Sequence, residues 1–239
     1  MKRVCTAFLL ALNIVAIGVS GPVSAGDEPC PILKKTIDWT RSWRKIIFDF
    51  TQESAVPSVA MTQQARGRVW IDKPWIKWEY LEPEYYYILA SDKRVWMVMP
   101  EDRVIYTEAL TGMELERVPV LFLTDPAPVL ESFHCTTGET SGGTTTVNLT
   151  STSGTAAVRS AALSIAADGS INNVELTMQD ESTNSFSFSG MRGDPGAAEH
   201  LFSIEINGET YSVLSFSGEP LTDYELPSRQ AGVELGVKE

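Results

Sequence analysis

Between residues 66 and 104 the chain alternates. Val69 and Ile71 fall on one face of an extended segment and Arg68, Trp70 and Asp72 on the other, the two-residue period of a half-buried strand, which Pro74 ends. Residues 75–81, 86–90 and 95–99 continue as further strands, separated by the turn-forming stretches Glu82-Pro83-Glu84 and Ser91-Asp92-Lys93-Arg94. The pattern predicts an antiparallel meander. Four of the six tryptophans lie in it, together with Tyr80, Tyr85, Tyr86 and Tyr87. Residues 95–99 are apolar at consecutive positions, so both faces of that strand need cover. A core, a lid or an apolar ligand would each supply it.

Upstream the period changes. Leu33, Ile37, Trp43, Ile46 and Ile47 recur behind Pro31 at steps of three, four and six residues, which predicts an amphipathic helix to about Arg44. Beyond a short strand at 104–107, Pro119, Pro126 and Pro128 cut residues 108–133 into short helical pieces. Residues 136–154 are rich in Thr, Ser and Gly around a strand carrying Val147 and Leu149. Asp168-Gly169 and Asn207-Gly208 mark hairpins that join 161–166 to 171–178 and 201–206 to 210–216, and 185–189 forms another strand.

Every second residue is apolar in these later strands: Val174, Leu176 and Met178; Phe186 and Phe188; Phe202, Ile204 and Ile206. One face of a long antiparallel sheet is therefore apolar. Curled inward, it gives a mainly β fold, either a packed barrel or an open one around a lipid-sized hollow.

The N-terminus reads as an export signal. Lys2 and Arg3 precede an apolar run at 4–19, and Val23-Ser24-Ala25 supplies small residues for cleavage after Ala25. The sixteen-residue run, broken by Asn13, falls short of the roughly 20 apolar residues of a membrane span. Asp27-Glu28-Pro29 is not the small, apolar context that precedes a lipidated cysteine, which argues against modification of Cys30. The chain thus divides into a signal peptide at 1–25, a folded domain at 26–217 and an irregular tail at 218–239.

Loss of Lys2 and Arg3 takes the net charge from −12 to −14, with 17 basic against 31 acidic side chains. That balance argues against nucleic acid and against an anionic membrane surface. Cleavage also removes Cys5. Cys30 and Cys135 remain as an even pair in an exported protein, predicting a disulfide whose loop of about a hundred residues is worth up to about 4.7 kcal/mol in chain entropy. Two cysteines do not make a metal site, and Asp168, Ser170 and Asn172 lack the ligand count of a calcium loop, so no metal or other cofactor is expected. The sequence has no G-x-S-x-G elbow, Gly-rich phosphate loop or H-E-x-x-H, and its two histidines are His134 and His200, so no catalytic residues are expected.

The ordered set Phe50-x-Gln52, Gly67, Lys73-Pro74, Trp78-x-Tyr80, Pro83, Ile88, Ser91-Asp92, Val95-Trp96, Pro100 and Val104 resembles the periplasmic outer-membrane lipoprotein carrier family LolA, over residues of about 33–206. The resemblance implies an unclosed antiparallel half-barrel with an α-helical lid, enclosing a hydrophobic cavity. Phe50, Val69, Ile71, Trp78, Trp96, Met97, Met99, Phe186, Phe188, Phe202 and Ile204 are the expected lining. Ile37 and Trp43 on the first helix, and Leu121, Phe122 and Leu123 in the proline-cut region, are the expected lid.

Where the family most often has Arg-Pro, this chain has Lys73-Pro74. The family's arginine hydrogen-bonds lid backbone, so Lys73 is expected to reach carbonyls near Phe122 and Leu123. The function implied is that of a monomeric periplasmic carrier that shelters the acyl chains of lipoproteins. It would take them from an inner-membrane lipoprotein-releasing ABC transporter and deliver them to an outer-membrane receptor. The alternative on the same half-barrel is an envelope interaction or stress-sensing domain that binds a protein partner or another amphiphile.

Overall fold

The computed structural model describes residues 30–91, 93–109, 132–154, 157–193, 199–204, 206, 210–222, 224 and 226–227. The expected signal peptide, the lid residues Leu121, Phe122 and Leu123, the Asn207-Gly208 turn and the end of the tail lie outside them.

Helix α1 (Pro31–Ser42) begins with a proline, whose missing N–H is no loss in a first turn, and Trp43 is already extended. The long strands β1 (Lys45–Val56) and β2 (Met61–Asp72) follow, paired along their whole length from Lys45↔Asp72 to Val56↔Met61. The meander runs on through β3 (Trp75–Glu82), β4 (Tyr86–Ala90), β5 (Arg94–Met99) and β6 (Val104–Ala109). A second run comprises β7 (Phe133–Ser141), β8 (Thr144–Ser151), β9 (Val158–Ala166), β10 (Ile171–Met178) and β11 (Thr183–Gly193). Short β12 (Ser212–Leu214) adds to β6 in parallel.

All of these strands form a single sheet in the order β12-β6-β5-β4-β3-β2-β1-β11-β10-β9-β8-β7. The first strand bridges the two meanders, and the two ends of the order do not pair, so the sheet is an unclosed half-barrel. It curls strongly. Trp78 on β3 and Phe186 on β11 lie three strand steps apart, about 14 Å along a flat sheet, yet their ring centroids are 5.5 Å apart.

Two apolar clusters result. The larger covers the inner face and takes in α1 through Leu33, Ile32, Trp39 and Trp43. The smaller lies on the outer face of the meander, where Leu89, Trp96, Val98 and Ile105 pack against Phe202, Ile204 and Val213. The doubly apolar strand at 95–99 therefore receives its second cover from the C-terminal segment. From the segment expected to be a tail, Leu221 and Leu226 pack into this outer cluster.

The expected disulfide links Cys30, just before α1, to Cys135 on β7, with Cα atoms 6.1 Å apart. Asp168 is occupied locally, its Oδ1 accepting from Ser170 N (2.9 Å) and Oγ (2.7 Å) in the β9–β10 turn. Those bonds hold its carboxyl below the usual range.

Candidate functional site

Strand alternation sets the floor of the inner face. Ile46, Phe48 and Phe50 on β1 stand beside Ile71, Val69 and Gly67 on β2, and these beside Ile76, Trp78 and Tyr80 on β3. On the other side of β1, Phe50 pairs with Phe188 of β11. A Cβ on Gly67 would stand 1.9 Å from the Glu79 carbonyl oxygen and 2.7 Å from Phe50 Cε1, so only glycine lets the Phe50 ring settle there. Phe50 then meets Trp78 at 4.6 Å and Tyr80 at 5.1 Å, while Phe48 meets Phe188 at 5.4 Å.

These contacts fill the curl. Among the described residues the rings of Phe48, Phe50, Trp78, Phe186 and Phe188 touch one another where a hollow was expected, and a cavity under the end of α1 measures about 10 Å³, room for about one water molecule. It is lined by Trp39, Thr40, Trp43, Ile46, Phe48, Ile71, Lys73 and Met191.

Helix α1 lies over this floor and is fixed at several points. Its start is tied by Cys30–Cys135. At its middle, Gly169, with φ +93°, comes so close that a Cβ would stand 2.6 Å from the Lys35 carbonyl oxygen. Near its end Lys73 Nζ donates to Thr40 O at 2.7 Å, and the Lys73 backbone N–H donates to Arg44 O at 3.3 Å. Beyond the helix the Trp43 ring packs on Gly193, where a Cβ would stand 2.9 Å from Cζ3. Lys45 and buried Asp72 pair at 3.3 Å beside this junction.

The underside of the helix is weakly apolar. Its buried positions are Leu33, Thr36 and Thr40, and both threonine hydroxyls bond back to helix carbonyls, at 3.4 and 2.8 Å. No hydroxyl loses a partner if the helix lifts. The Trp43 indole N–H is buried with no acceptor among the described residues.

Toward the far end of the inner face the surface becomes polar. Tyr80 and Tyr86 stack at 4.3 Å, and the Tyr80 hydroxyl donates to Gln52 at 2.8 Å. Burial pushes the Tyr80 phenol well above its ordinary range and that of Tyr86 up to about 12.

Of the expected lining residues, Phe50, Val69, Ile71, Trp78, Phe186 and Phe188 meet in the inner cluster. Met97 and Met99 share that register, opposite Tyr106 and Val104, and are half-buried. Trp96, Phe202 and Ile204 belong to the outer cluster instead. Trp96 alternates with Val95 and Met97 and so points the other way. Phe202 and Ile204 lie in and just after a single 3-10 turn (Glu199–Phe202), not in a strand.

Ile37 is half-buried on α1, and Trp43 closes its end. Lys73 donates to the Thr40 carbonyl of α1, and the carbonyls it was expected to reach, near Phe122 and Leu123, lie outside the described residues. Sequence reasoning missed Thr40, Met191 and Gly193, which carry no motif and are joined to the site only by the curl.

The family model described as "Outer membrane lipoprotein carrier protein LolA" matches residues 41–205, more than half of the chain. A search of curated proteins finds no match. Among solved structures, the fold is similar to that of an uncharacterized conserved protein from Thermus thermophilus, with TM-score 0.50 and 11% identity, covering 77% of this chain and 96% of that one. A LolA superfamily protein from Nitrosomonas europaea matches with TM-score 0.43 and 12% identity over 72% of this chain and 96% of its own. The Mycobacterium tuberculosis lipoprotein LppX matches with TM-score 0.43 and 13% identity over 70% and 96%.

Proposed function

The chain belongs to the LolA family of outer membrane lipoprotein carrier proteins, and on that footing we propose that it is a non-catalytic periplasmic carrier of acylated lipoproteins. Acyl chains enter between α1 and the inner face as the aromatic cluster parts. The observation that carries this reading is α1 itself, a helix tethered at both ends over a wholly apolar floor through a threonine-bearing underside. On opening, the threonine hydroxyls keep their partners, and what is given up is the Lys73–Thr40 bond and the packing of Leu33, Trp39 and Trp43 on the floor.

Energetics favour a filled resting face. At about 0.8 kcal/mol per buried methylene, full burial of three acyl chains would contribute tens of kcal/mol, beyond the roughly −18 to −21 kcal/mol at which non-covalent affinity saturates. A carrier that bound so tightly could not unload. Here the ring contacts among Phe50, Trp78, Phe186 and Phe188 must be given up to admit a chain, and their loss offsets part of the burial gain. Loading is assigned to an inner-membrane lipoprotein-releasing ABC transporter and unloading to an outer-membrane receptor.

The test is release of an acylated lipoprotein from inner-membrane vesicles containing the transporter and ATP. Wild-type protein should bring it into solution, non-acylated cargo should stay behind, and Phe188→Glu should abolish release while keeping the strand signature in circular dichroism. Failure to release any lipoprotein, together with tight binding of another envelope protein without acyl chains, would replace the carrier with a sensing domain.

A further inference from the structure

The apolar register of the inner face stops at one level. Along β1, Ile46, Phe48 and Phe50 give way to Gln52 and Ser54, and along β11, Phe188 and Phe186 give way to Asn184. With Tyr80 these polar side chains form one directed network. Tyr80 OH donates to Gln52 Oε1 (2.8 Å); Gln52 Nε2 donates to Ser54 Oγ (2.8 Å) and Asn184 Oδ1 (3.1 Å); Ser54 Oγ donates to the same Asn184 Oδ1 (2.6 Å).

Two donors converge on Asn184 Oδ1 and use both of its lone pairs. In this arrangement Oδ1 faces into the network and the Nδ2 donor pair faces away from it. Nδ2 has no hydrogen-bond partner among the described residues, and Asn184 is half-buried, two residues from Phe186 and so about 7 Å from it along the strand. An oriented donor pair thus stands where the apolar floor ends. None of the four network residues is charged. The nearby cation Arg66 is paired with Glu82, and the carboxylate of Glu84 acts on Tyr86, so the field at this rim does not favour an anion.

We propose that Asn184 Nδ2 is the anchor for the carbonyl oxygen of an acyl ester, the atom at which an esterified lipid changes from polar head to apolar chain. The inference rests on the carrier reading and adds to it the chemical group recognised: an uncharged ester, with its chain running toward Phe186 and Phe188 and its head toward solvent. Gln52 and Ser54 are positioning residues that fix the amide.

The test compares fluorescent probes of matched chain length: a pyrene-labelled diacylglycerol, the corresponding pyrene fatty acid at pH 8, and a pyrene alkane without a carbonyl. Asn184→Asp keeps the shape and the Oδ1 acceptor that the network uses but removes both N–H donors, and Asn184→Leu removes them without adding charge. Each should weaken the ester probe about tenfold, the net worth of one to two hydrogen bonds, and leave the alkane within about twofold. Ser54→Ala, which frees the amide to turn, should give a smaller loss confined to the ester.

Equal losses for ester and alkane, no loss for either, or tighter binding of the fatty acid than of the ester would overturn the assignment while leaving the carrier intact. Wild-type protein that takes up none of the probes would overturn both.

Discussion

Replacing Lys73 by Met keeps the unbranched stem and deletes the ammonium that caps Thr40 O at 2.7 Å. That carbonyl belongs to the last turn of α1, whose oxygens lack intrahelical donors and carry the negative end of the helix dipole. A hydrogen bond from a charged donor to such a group is worth roughly 1.5–3 kcal/mol net. Taking about 2 kcal/mol, the closed-to-open ratio at this end of the lid should fall roughly 30-fold.

Native-state hydrogen exchange resolved by residue reads this directly, because local opening sets the exchange rate of helix amides. Amides of residues 39–42 should exchange about 30-fold faster in Lys73→Met, and those near residue 34 much less, since Cys30–Cys135 still holds the start of the helix. Lys73→Arg should stay within about threefold of wild type. Unchanged exchange over 39–42 would refute the clamp, and uniform acceleration through α1 and β1 would show that Lys73 supports the whole fold instead.

Two further outcomes follow from the same geometry. Gly67→Ala puts a methyl 1.9 Å from the Glu79 oxygen and 2.7 Å from Phe50, so a loss of about 3 kcal/mol is expected. That corresponds to a Tm lowered by roughly 6–12 °C in a thermal melt, and a shift under about 2 °C would contradict the packing of Phe50 on bare backbone. The folded protein also retains phenolic protons that the unfolded chain loses above about pH 10, because Tyr80 and Tyr86 are raised. Their contribution to stability is complete below about pH 10 and is lost as pH climbs toward about 12. Absorbance at about 295 nm, where the phenolate absorbs, should show these phenols titrating only as the protein unfolds, and Tyr86→Phe should remove one such late titration.

The meander was legible because its strands have buried faces with clean alternation; Val69, Ile71 and Trp78 stand where that pattern puts them. The disulfide was legible for an equally local reason, the even cysteine pair, whereas the residue pattern left a packed or an open barrel and the unclosed half-barrel was implied by the family resemblance. The second half of β1 and the first half of β2 were not legible, since residues 51–56 and 61–66 are largely polar and hold their extended form by pairing with each other from Thr51↔Arg66 to Val56↔Met61. Face assignments failed where neighbours decide. Trp96 is as apolar as Val95, and only the C-terminal cover on the outer face makes it a core residue. Asn184 could not be singled out, because its role depends on two donors from a strand 130 residues away in sequence.

If the inner face opens to receive acyl chains, the intact mass of protein purified gently from the periplasm should reveal it most directly. The preparation should include a fraction heavier by the mass of a triacylated lipoprotein, and that fraction should vanish in Phe188→Glu purified with its strand signature in circular dichroism intact. A periplasmic preparation that is wholly unliganded, or that carries a non-acylated protein in stoichiometric amount and loses none of it in Phe188→Glu, would contradict the carrier.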